Sequence, residues 1–164
     1  MTRQYNRVAA VNYARLWWNR ANPVFPFFSV DCTNFISQCL LAGGAPMRGV
    51  PNREKGWWIQ GGNWSFSWSV AHSLRWYLQG STTGLKGRRV QNASDLEIGD
   101  VIFYDFQGDG RIDHSVIVTS VQDGVPYVHA HTSDSENRHY LYEDSTAYTP
   151  SMTYYFYHID DDFS

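Results

Sequence analysis

The apolar residues of this chain change their spacing part-way along it, and no other feature restricts the fold as strongly. Over residues 5–20 and 32–42 they recur every three or four positions, which is the spacing of a helix face. From residue 101 onward they form short runs rich in valine, isoleucine and aromatic side chains, which favour strands. Helices followed by strands with tight turns indicate an α+β fold, in which N-terminal helices pack on a C-terminal antiparallel β-sheet.

Three segments in the first half have helical spacing: residues 5–20, 32–42 and 70–78. The second begins directly after Asp31, which suits the N-cap position, so Cys32 becomes its first helical residue. Gly43 follows its last turn and supplies the stop. Residues 45–68 are rich in Gly, Pro, Asn and Trp and are expected to form a long loop, a feature that is commonly functional in compact domains.

Four segments in the second half are predicted as strands: residues 101–104, 114–121, 125–131 and 153–159. Asp123-Gly124 lies between the second and third of them and is a strong signal for a two-residue hairpin turn. Residues 79–94 are polar and are expected to form a loop. No linker, repeat or low-complexity run interrupts the chain, so we expect one domain over residues 1–164.

Composition argues against several classes of function. The net charge is −3, the isoelectric point is near 6.0 and the basic residues are scattered, which argues against nucleic acid as a partner. No apolar stretch approaches the ~20 residues of a membrane helix, so no membrane span is expected. The first residues have no apolar signal-peptide core. If the protein acts outside the cell, we expect this sequence to be a processed form or an excised domain.

The chain has two cysteines, Cys32 and Cys39. Seven positions apart on one helix, they lie about 10 Å from each other, which is beyond disulfide reach. Two cysteines without a CxxC spacing also make a poor zinc site. Cys39 lies on the apolar stripe of its helix and is expected in the core. A thiol in the first turn, by contrast, meets free backbone N–H groups and the helix dipole, which favour the thiolate.

Cys32 is therefore a candidate nucleophile, and the backbone N–H groups of Cys32 and Thr33 are a candidate oxyanion hole. The same position also suits an inert core thiol, since cysteine is among the most buried residue types. Catalysis requires in addition a general base, most often histidine, and a third group that orients it.

Three of the six histidines fall in the predicted hairpin. The other three are interpreted as structural or surface residues: His72, His139 and His158. With a two-residue turn, His131 lies opposite Val116 and His129 opposite Val118, on the face shared with His114. His131 is then one diagonal step from His114, so His131 is the preferred orienting residue and His129 the alternate. A buried histidine pair without catalysis, or a bulge that shifts this register, stays open.

The aromatic share is 16%, with seven tryptophans, and most of these rings are expected in the core. Three rings in the long loop are candidates for the wall of a substrate groove: Trp57, Trp58 and Trp64. The loop from Asp105 to Asp113 has part of the spacing of a calcium loop. Its twelfth position is Val116 instead of the required glutamate, so no metal is expected.

The candidate nucleophile stands in the run DCTNFISQCL over residues 31–40. This run resembles the nucleophile helix of the putative amidase domain family, a branch of the NlpC/P60 and CHAP group of papain-like enzymes. Further pieces resemble the family in the same order: residues 5–14, Asn22-Pro23, Gly56-Trp57-Trp58, residues 99–104, residues 113–118 and residues 131–134. The resemblance covers residues 5–158, nearly the whole chain.

The resemblance implies a papain-like fold and an amidase in which Cys32 is the nucleophile, His114 the base and His131 the polar third residue. It also implies cell-wall peptidoglycan or a related peptide as substrate, in a secreted or wall-associated bacterial protein. We expect no cofactor and a monomer. Two other interpretations keep the fold: a wall- or carbohydrate-binding module without the chemistry, and an acyltransferase in which an amine resolves the acyl-enzyme.

Overall fold

The computed structural model describes residues 4–164, and its α-helices precede the main sheet along the chain. The helices are α1 (Arg7–Trp17), α2 (Cys32–Ala42), α3 (Phe66–Ser69) and α4 (Ala71–Gly80). The strands are β1 (Ile59–Gln60), β2 (Asn63–Trp64), β3 (Gly87–Val90), β4 (Val101–Asp105), β5 (His114–Gln122), β6 (Val125–Ala130), β7 (Ser135–His139) and β8 (Thr153–Ile159). The mixed α+β architecture is confirmed.

Six strands form one antiparallel sheet in the order β3-β8-β4-β5-β6-β7, and β1 and β2 form a separate small hairpin. The last strand of the chain therefore lies inside the sheet, between β3 and β4. The hairpin of β5 and β6 follows β4 directly, so its open end lies where strand β4 ends.

Helix α2 lies at the centre of the core, because most of its side chains are apolar or small. Every residue from Cys32 to Leu40 is buried. Phe35 and Ile36 belong to one apolar cluster with Phe103 and Ile117, which come from one face of the sheet. This packing sets the start of α2 against the sheet.

The segment between β7 and β8 covers the opposite face of the sheet. There Val116, Val118 and Val128 pack in a second apolar cluster with Tyr142. Alternate residues of β5 therefore enter two different cores, since Ile117 points to the helices. Strand β5 is buried on both faces over its first six residues.

Several element bounds depart from the predictions. Helix α1 ends at Trp17 instead of residue 20. The predicted loop 45–68 contains β1, β2 and part of α3, and the predicted loop 79–94 contains β3. Strand β7 is also absent from the prediction. Both β3 and β7 are edge strands with several exposed residues, so they lack the apolar alternation that marks a half-buried strand.

The hairpin turn between β5 and β6 is confirmed, and its two residues have φ of 52° and 77°, the left-handed values that this kind of turn requires. The predicted register is wrong. A bulge at Thr119 shifts the pairing, so that Ile117 rather than Val118 lies opposite His129. His129 therefore shares the helix face with Ile117, whereas His114 faces the second cluster.

None of the helices in the described part of the chain has the length and apolar character that a bilayer crossing demands. Residues 1–3, which begin the segment weighed as a signal peptide, lie outside the described residues. That residues 1–164 form one domain stays a prediction.

Candidate active site

Cys32 is the first residue of α2, and its side chain is nearly buried. The first backbone hydrogen bond of the helix runs from the N–H of Phe35 to the carbonyl of Asp31 (2.9 Å). The N–H groups of Cys32 and Thr33 come before this bond, and neither has an acceptor among residues 4–164. These two donors are the ones predicted for an oxyanion hole. Cys39 is fully buried, which confirms its core position, and burial raises the pKa of its thiol.

Two hydroxyl groups tie the start of α2 to the start of β5. Thr33 Oγ1 lies 3.0 Å from Ser115 Oγ, and both side chains are fully buried. The Cys32 sulfur lies 3.7 Å from the same Thr33 oxygen. Cys32 and His114 are the chain neighbours of the two bonded residues, so this contact brings both of them to the same end of the sheet.

The His114 ring is buried among aromatic side chains. It stacks on Tyr104 and Phe106, with ring centroids 5.9 and 6.2 Å away, and its Nε2 lies 3.1 Å from Tyr142 Oη. Burial, helped by the charge of Arg138, lowers the pKa of His114 to about 4. The imidazole is therefore neutral at pH 7.

Tyr142 lies near both candidate catalytic residues. Burial raises the pKa of Tyr142, and charge on the nearby Cys32 raises this pKa further. Within the described residues no hydrogen bond joins Cys32 to His114, and Nδ1 of His114 has no partner. Catalytic hydrogen bonds are often long before substrate binds, so the missing Cys32–His114 bond does not argue against catalysis. Because Nε2 is bound to Tyr142, Nδ1 is the nitrogen of His114 that can accept a proton.

Tyr142 also begins a chain of polar contacts. Its Oη lies 3.2 Å from Ser135 Oγ, and Ser135 donates to the carbonyl of Ser133 at 2.8 Å. Arg138 donates to the same Ser135 oxygen at 3.1 Å, and its guanidinium lies 3.7 Å from the centre of the Tyr142 ring. These side chains come from β7 and from the segment that follows it.

His131 lies directly after β6, and both of its ring nitrogens have partners. Nδ1 lies 2.7 Å from Asp31 Oδ2, Nε2 lies 2.5 Å from the carbonyl oxygen of Trp17, and the ring stacks on Phe35 at 4.0 Å. Burial alone would lower the pKa of His131, but the Asp31 carboxylate and the Trp17 carbonyl raise it above its usual value. Neither nitrogen contacts His114, so the orienting role of His131 stays a prediction.

Asp31 occupies the predicted N-cap position, but its side chain makes no capping bond to the helix. Its carboxylate instead binds His131 and accepts from the hydroxyl of Thr132 at 3.4 Å. The residue before the candidate nucleophile is thus fastened to the end of β6.

His129, the alternate third residue, belongs to a different set of contacts. Its Nδ1 lies 2.6 Å from the hydroxyl of Thr119, the bulge residue, and its ring meets Trp18 edge-on. Burial lowers the pKa of His129 to about 4. Because His129 and His114 lie on opposite faces of the sheet, the alternate assignment needs correction.

The predicted groove wall also needs correction. Trp57 and Trp58 are 0% and 1% exposed, and their indole N–H groups donate to Ser37 Oγ and to the carbonyl of Asn52. They are core residues whose polar atoms are satisfied internally, so they cannot contact a substrate. Trp64 is half-buried and meets Phe28 edge-on, and its groove role stays a prediction.

An apolar surface precedes Cys32 in the chain. Three side chains of this segment are strongly exposed: Val24 (82%), Phe27 (78%) and Val30 (65%). Phe25 and Phe28 point inward against Trp68 and Trp64, which anchors the segment. It offers an exposed apolar surface that ends two residues before Cys32 in the chain, and the tryptophan prediction does not include it.

In the loop that resembles a calcium site, the first carboxylate, that of Asp105, is hydrogen-bonded to the backbone of the loop itself. Asp105 accepts backbone N–H bonds from Gly108, Asp109 and Gly110 at 2.7–3.2 Å. Asp113 accepts another from the N–H of Phe106. Backbone donors therefore occupy the carboxylates that a calcium ion would need.

A second group of potential metal ligands lies at the other end of β8. Glu97, His158 and Asp161 place ligand atoms within 4.8 Å of one another. Arg7 already pairs with both carboxylates, at 3.3 Å from Glu97 and 2.8 Å from Asp161. A guanidinium in that position supplies the positive charge that a metal would bring.

The sequence of this chain is similar to those of known proteins. The model of one protein family, described as a putative amidase domain, matches residues 4–157. The chain belongs to this amidase domain family. No solved structure matches the chain.

Two relatives of this amidase domain come from Bacillus subtilis (strain 168). The "Uncharacterized protein YhbB" is 57% identical over 160 residues, and the "Uncharacterized protein YjcM" is 31% identical over 142 residues. The matches cover 97% and 81% of this chain but only 51% and 32% of the two relatives. The amidase domain therefore spans about half of the first relative and a third of the second.

Sequence reasoning missed Tyr142, Ser135 and Arg138, although they surround His114. They lie in an edge strand and in the turns beside it, and nothing in the spacing of apolar residues marks them. The family resemblance also gave no sign of them, because its motif pieces end at residue 134.

Proposed function

We propose that this amidase domain hydrolyses amide bonds by a cysteine-dependent mechanism on a papain-like fold, with Cys32 as nucleophile and His114 as base. One observation carries the proposal. The Thr33–Ser115 hydroxyl contact brings a thiol at a helix N-terminus to the same end of the sheet as a buried, neutral imidazole. A nucleophile with a base and free N–H donors beside it is the set that acyl transfer needs.

In the first step, the Cys32 thiol transfers its proton to Nδ1 of His114 while the sulfur attacks the amide carbonyl carbon. The N–H groups of Cys32 and Thr33 hold the carbonyl oxygen as it becomes an oxyanion. His114 then gives the proton to the amine nitrogen as the carbon–nitrogen bond breaks.

In the second step, water loses a proton to His114 and attacks the thioester carbon. The carboxylic acid product leaves, and the Cys32 thiol recovers its proton from His114. A neutral base at pH 7 is required at the start of both steps, and the lowered pKa of His114 supports this condition.

His131 enters the proposal through Asp31. Its two ring bonds hold the residue before Cys32 against the ends of β6 and α1, so His131 positions the nucleophile through its chain neighbour Asp31. The family resemblance implies two histidines in the site. His114 is then the base, and His131 holds Asp31 in place.

For the substrate we propose peptidoglycan or a related cell-wall peptide, hydrolysed by a monomer that acts outside the bacterial cell. The resemblance of residues 31–40 and 113–118 to the putative amidase domain family, which implies a cell-wall peptide as substrate, supports this choice. The exposed apolar segment from Val24 to Val30 adds a surface against which a peptide could pack beside Cys32.

The proposal is tested by incubating purified peptidoglycan with the wild-type domain, with Cys32→Ala and with the matched control Cys39→Ala. We expect soluble fragments from the wild type and from the control, and none from Cys32→Ala, with the bond named by the fragment masses. Circular dichroism must show the same fold in all three proteins.

Wild-type protein that binds peptidoglycan without releasing fragments would contradict hydrolysis of this substrate. Equal release by Cys32→Ala would remove Cys32 from the mechanism.

A further inference from the structure

We infer that Tyr142 is the positioning residue that orients His114, and that the hydroxyl chain behind it places the ring proton of His114 on Nε2. The inference rests on the proposed function, because it names the third member of the same site. The position of the ring proton of His114 can be measured without any substrate.

The direction of the chain follows from its far end. Ser135 has one hydroxyl proton and two possible acceptors, the Ser133 carbonyl at 2.8 Å and Tyr142 Oη at 3.2 Å. The contact with the carbonyl is the shorter one, and a carbonyl can only accept, so we place the proton of Ser135 there. Arg138 can only donate, and it donates to Ser135 Oγ. The remaining lone pair of this Ser135 oxygen is therefore free to accept from the Tyr142 hydroxyl, 3.2 Å away.

The Tyr142 proton is then directed at Ser135, which leaves the Tyr142 oxygen to accept from His114. Nε2 of His114, 3.1 Å away, must be the nitrogen that carries hydrogen. In the reverse arrangement, with Tyr142 donating to His114, no proton would lie between Tyr142 Oη and Ser135 Oγ. Two buried oxygens would then face each other at 3.2 Å without a hydrogen bond, which is unfavourable.

The tautomer matters because a neutral imidazole has one N–H group and one lone pair. With the hydrogen on Nε2, the lone pair is on Nδ1, the nitrogen that has no protein partner within residues 4–164. A lone pair there can take the thiol proton of Cys32. The opposite tautomer would turn an N–H toward the thiol and prevent proton transfer.

His131 cannot supply this orientation by direct contact. Its two nitrogens are already bound to Asp31 and to the Trp17 carbonyl, and neither meets His114. Tyr142, by contrast, both binds Nε2 and packs on the ring, with centroids 5.5 Å apart.

The experiment records the ring-nitrogen chemical shifts of His114 by NMR at pH 7 in protein labelled with ¹⁵N-histidine, assigned by the signals lost in His114→Gln. In the wild type we expect hydrogen on Nε2. Ser135→Ala removes the acceptor of the Tyr142 proton, so Tyr142 can donate to His114 and the hydrogen should move toward Nδ1. Tyr142→Phe should give a mixture of tautomers.

The matched control is Tyr140→Phe, which removes a nearby phenol that makes no hydrogen bond through its hydroxyl among the described residues. It should keep the wild-type tautomer. A second measurement follows the rate at which iodoacetamide alkylates Cys32 at pH 7, with the site mapped by mass spectrometry. A neutral hydrogen bond shifts a tautomer equilibrium by about fivefold, so Ser135→Ala should slow alkylation by about that factor.

Hydrogen on Nδ1 of His114 in the wild type would overturn the inference, and so would a wild-type tautomer in both Ser135→Ala and Tyr142→Phe. The domain could show the expected tautomer shift and yet leave peptidoglycan intact. That result would support the role of Tyr142 and contradict the proposed substrate. If Tyr142→Phe does not fold, Ser135→Ala decides the question alone.

Discussion

At the scale of single residues, His114 and His131 have opposite electrostatic settings. His114 is enclosed by aromatic rings and lies near the cationic Arg138, so its charged form is disfavoured. His131 is bound to the Asp31 carboxylate, which favours its charged form. One histidine is therefore suited to accept a proton, and the other to hold an anionic partner.

The lowered pKa of His114 predicts a loss of stability in mild acid. Its pKa is about 4 in the folded protein and near 6.5 in the unfolded chain, so the unfolded chain binds more protons between these values. The contribution of His114 is present in full above pH 6.5 and falls as the pH drops toward 4. From pH 7 to pH 5 it amounts to about 2 kcal/mol of unfolding free energy.

Urea unfolding of the wild type and His114→Asn at both pH values tests this prediction. The wild type should lose more stability than the variant on acidification. The same loss in both proteins would show that His114 does not titrate at a low pKa.

At the scale of elements, two contacts hold the start of α2 in place. The Asp31–His131 pair joins it to the end of β6, and the Thr33–Ser115 contact joins it to the start of β5. Both contacts are made on residues next to Cys32. Together with the apolar packing of α2, they set the position of the nucleophile on the sheet.

His131→Ala should lower the unfolding free energy by about 3 kcal/mol, because it leaves Asp31 and the Trp17 carbonyl without their partner and opens a gap over Phe35. The exposed His139→Ala is the control and should cost less, about 1 kcal/mol, because His139 loses only a bond from the Leu141 N–H and two ring contacts at the surface. The raised pKa of His131 adds a pH dependence.

The charged pair of Asp31 and His131 adds fully to the unfolding free energy below pH 6.5, the approximate pKa of histidine in the unfolded chain. This stabilisation is lost as the pH rises through the pKa of His131 in the folded protein. The cost of His131→Ala, measured by urea unfolding, should therefore be larger at pH 6 than at pH 9. A cost that does not change with pH would contradict a charged pair.

Thr33→Val should cost about 2 kcal/mol of stability, because it leaves the buried Ser115 hydroxyl without its partner. Ser115→Ala should cost a similar amount for the same reason. The double variant should cost clearly less than the sum, since it removes both polar groups together. Unfolding free energies that simply add would show that the two hydroxyls do not interact.

The elements most accessible to sequence reasoning are those with strong local signals. The start of α2 at Cys32 and the turn before Val125 could both be predicted, because an N-cap residue and an Asp-Gly pair act locally. The pairing of His129 with Ile117 could not be predicted, because it follows from the bulge at Thr119, which depends on residues distant in the chain. Tyr142 could not be found for the same reason, since only the fold brings it to His114.

At the scale of the whole molecule, Arg7 joins the first helix to the last strand. Its guanidinium donates to Asp100 at 2.8 Å, to Asp161 at 2.8 Å and to the carbonyls of Ile98 and Ile159. Asp100 is fully buried, so Arg7 balances a charge that water cannot reach. Arg7 thus joins the start of α1 to the end of β8 and to the turn before β4.

Arg7→Met should keep most of the packing of this side chain but leave the buried Asp100 carboxylate without its cation. We expect a loss of about 3 kcal/mol in unfolding free energy, measured by urea denaturation. Arg88→Ala, an exposed arginine in β3, is the control and should change little. A loss no larger than that of the control would show that the network carries no stability.

The proposed hydrolysis requires that His114 activates the thiol of Cys32. The most direct test is the rate at which iodoacetamide modifies Cys32 at pH 7 in the wild type and in His114→Ala, with both cysteines mapped by mass spectrometry. We expect fast modification of Cys32 that becomes at least about tenfold slower without His114, and no modification of the buried Cys39 in either protein. Equal rates at Cys32 in the two proteins would contradict the central claim.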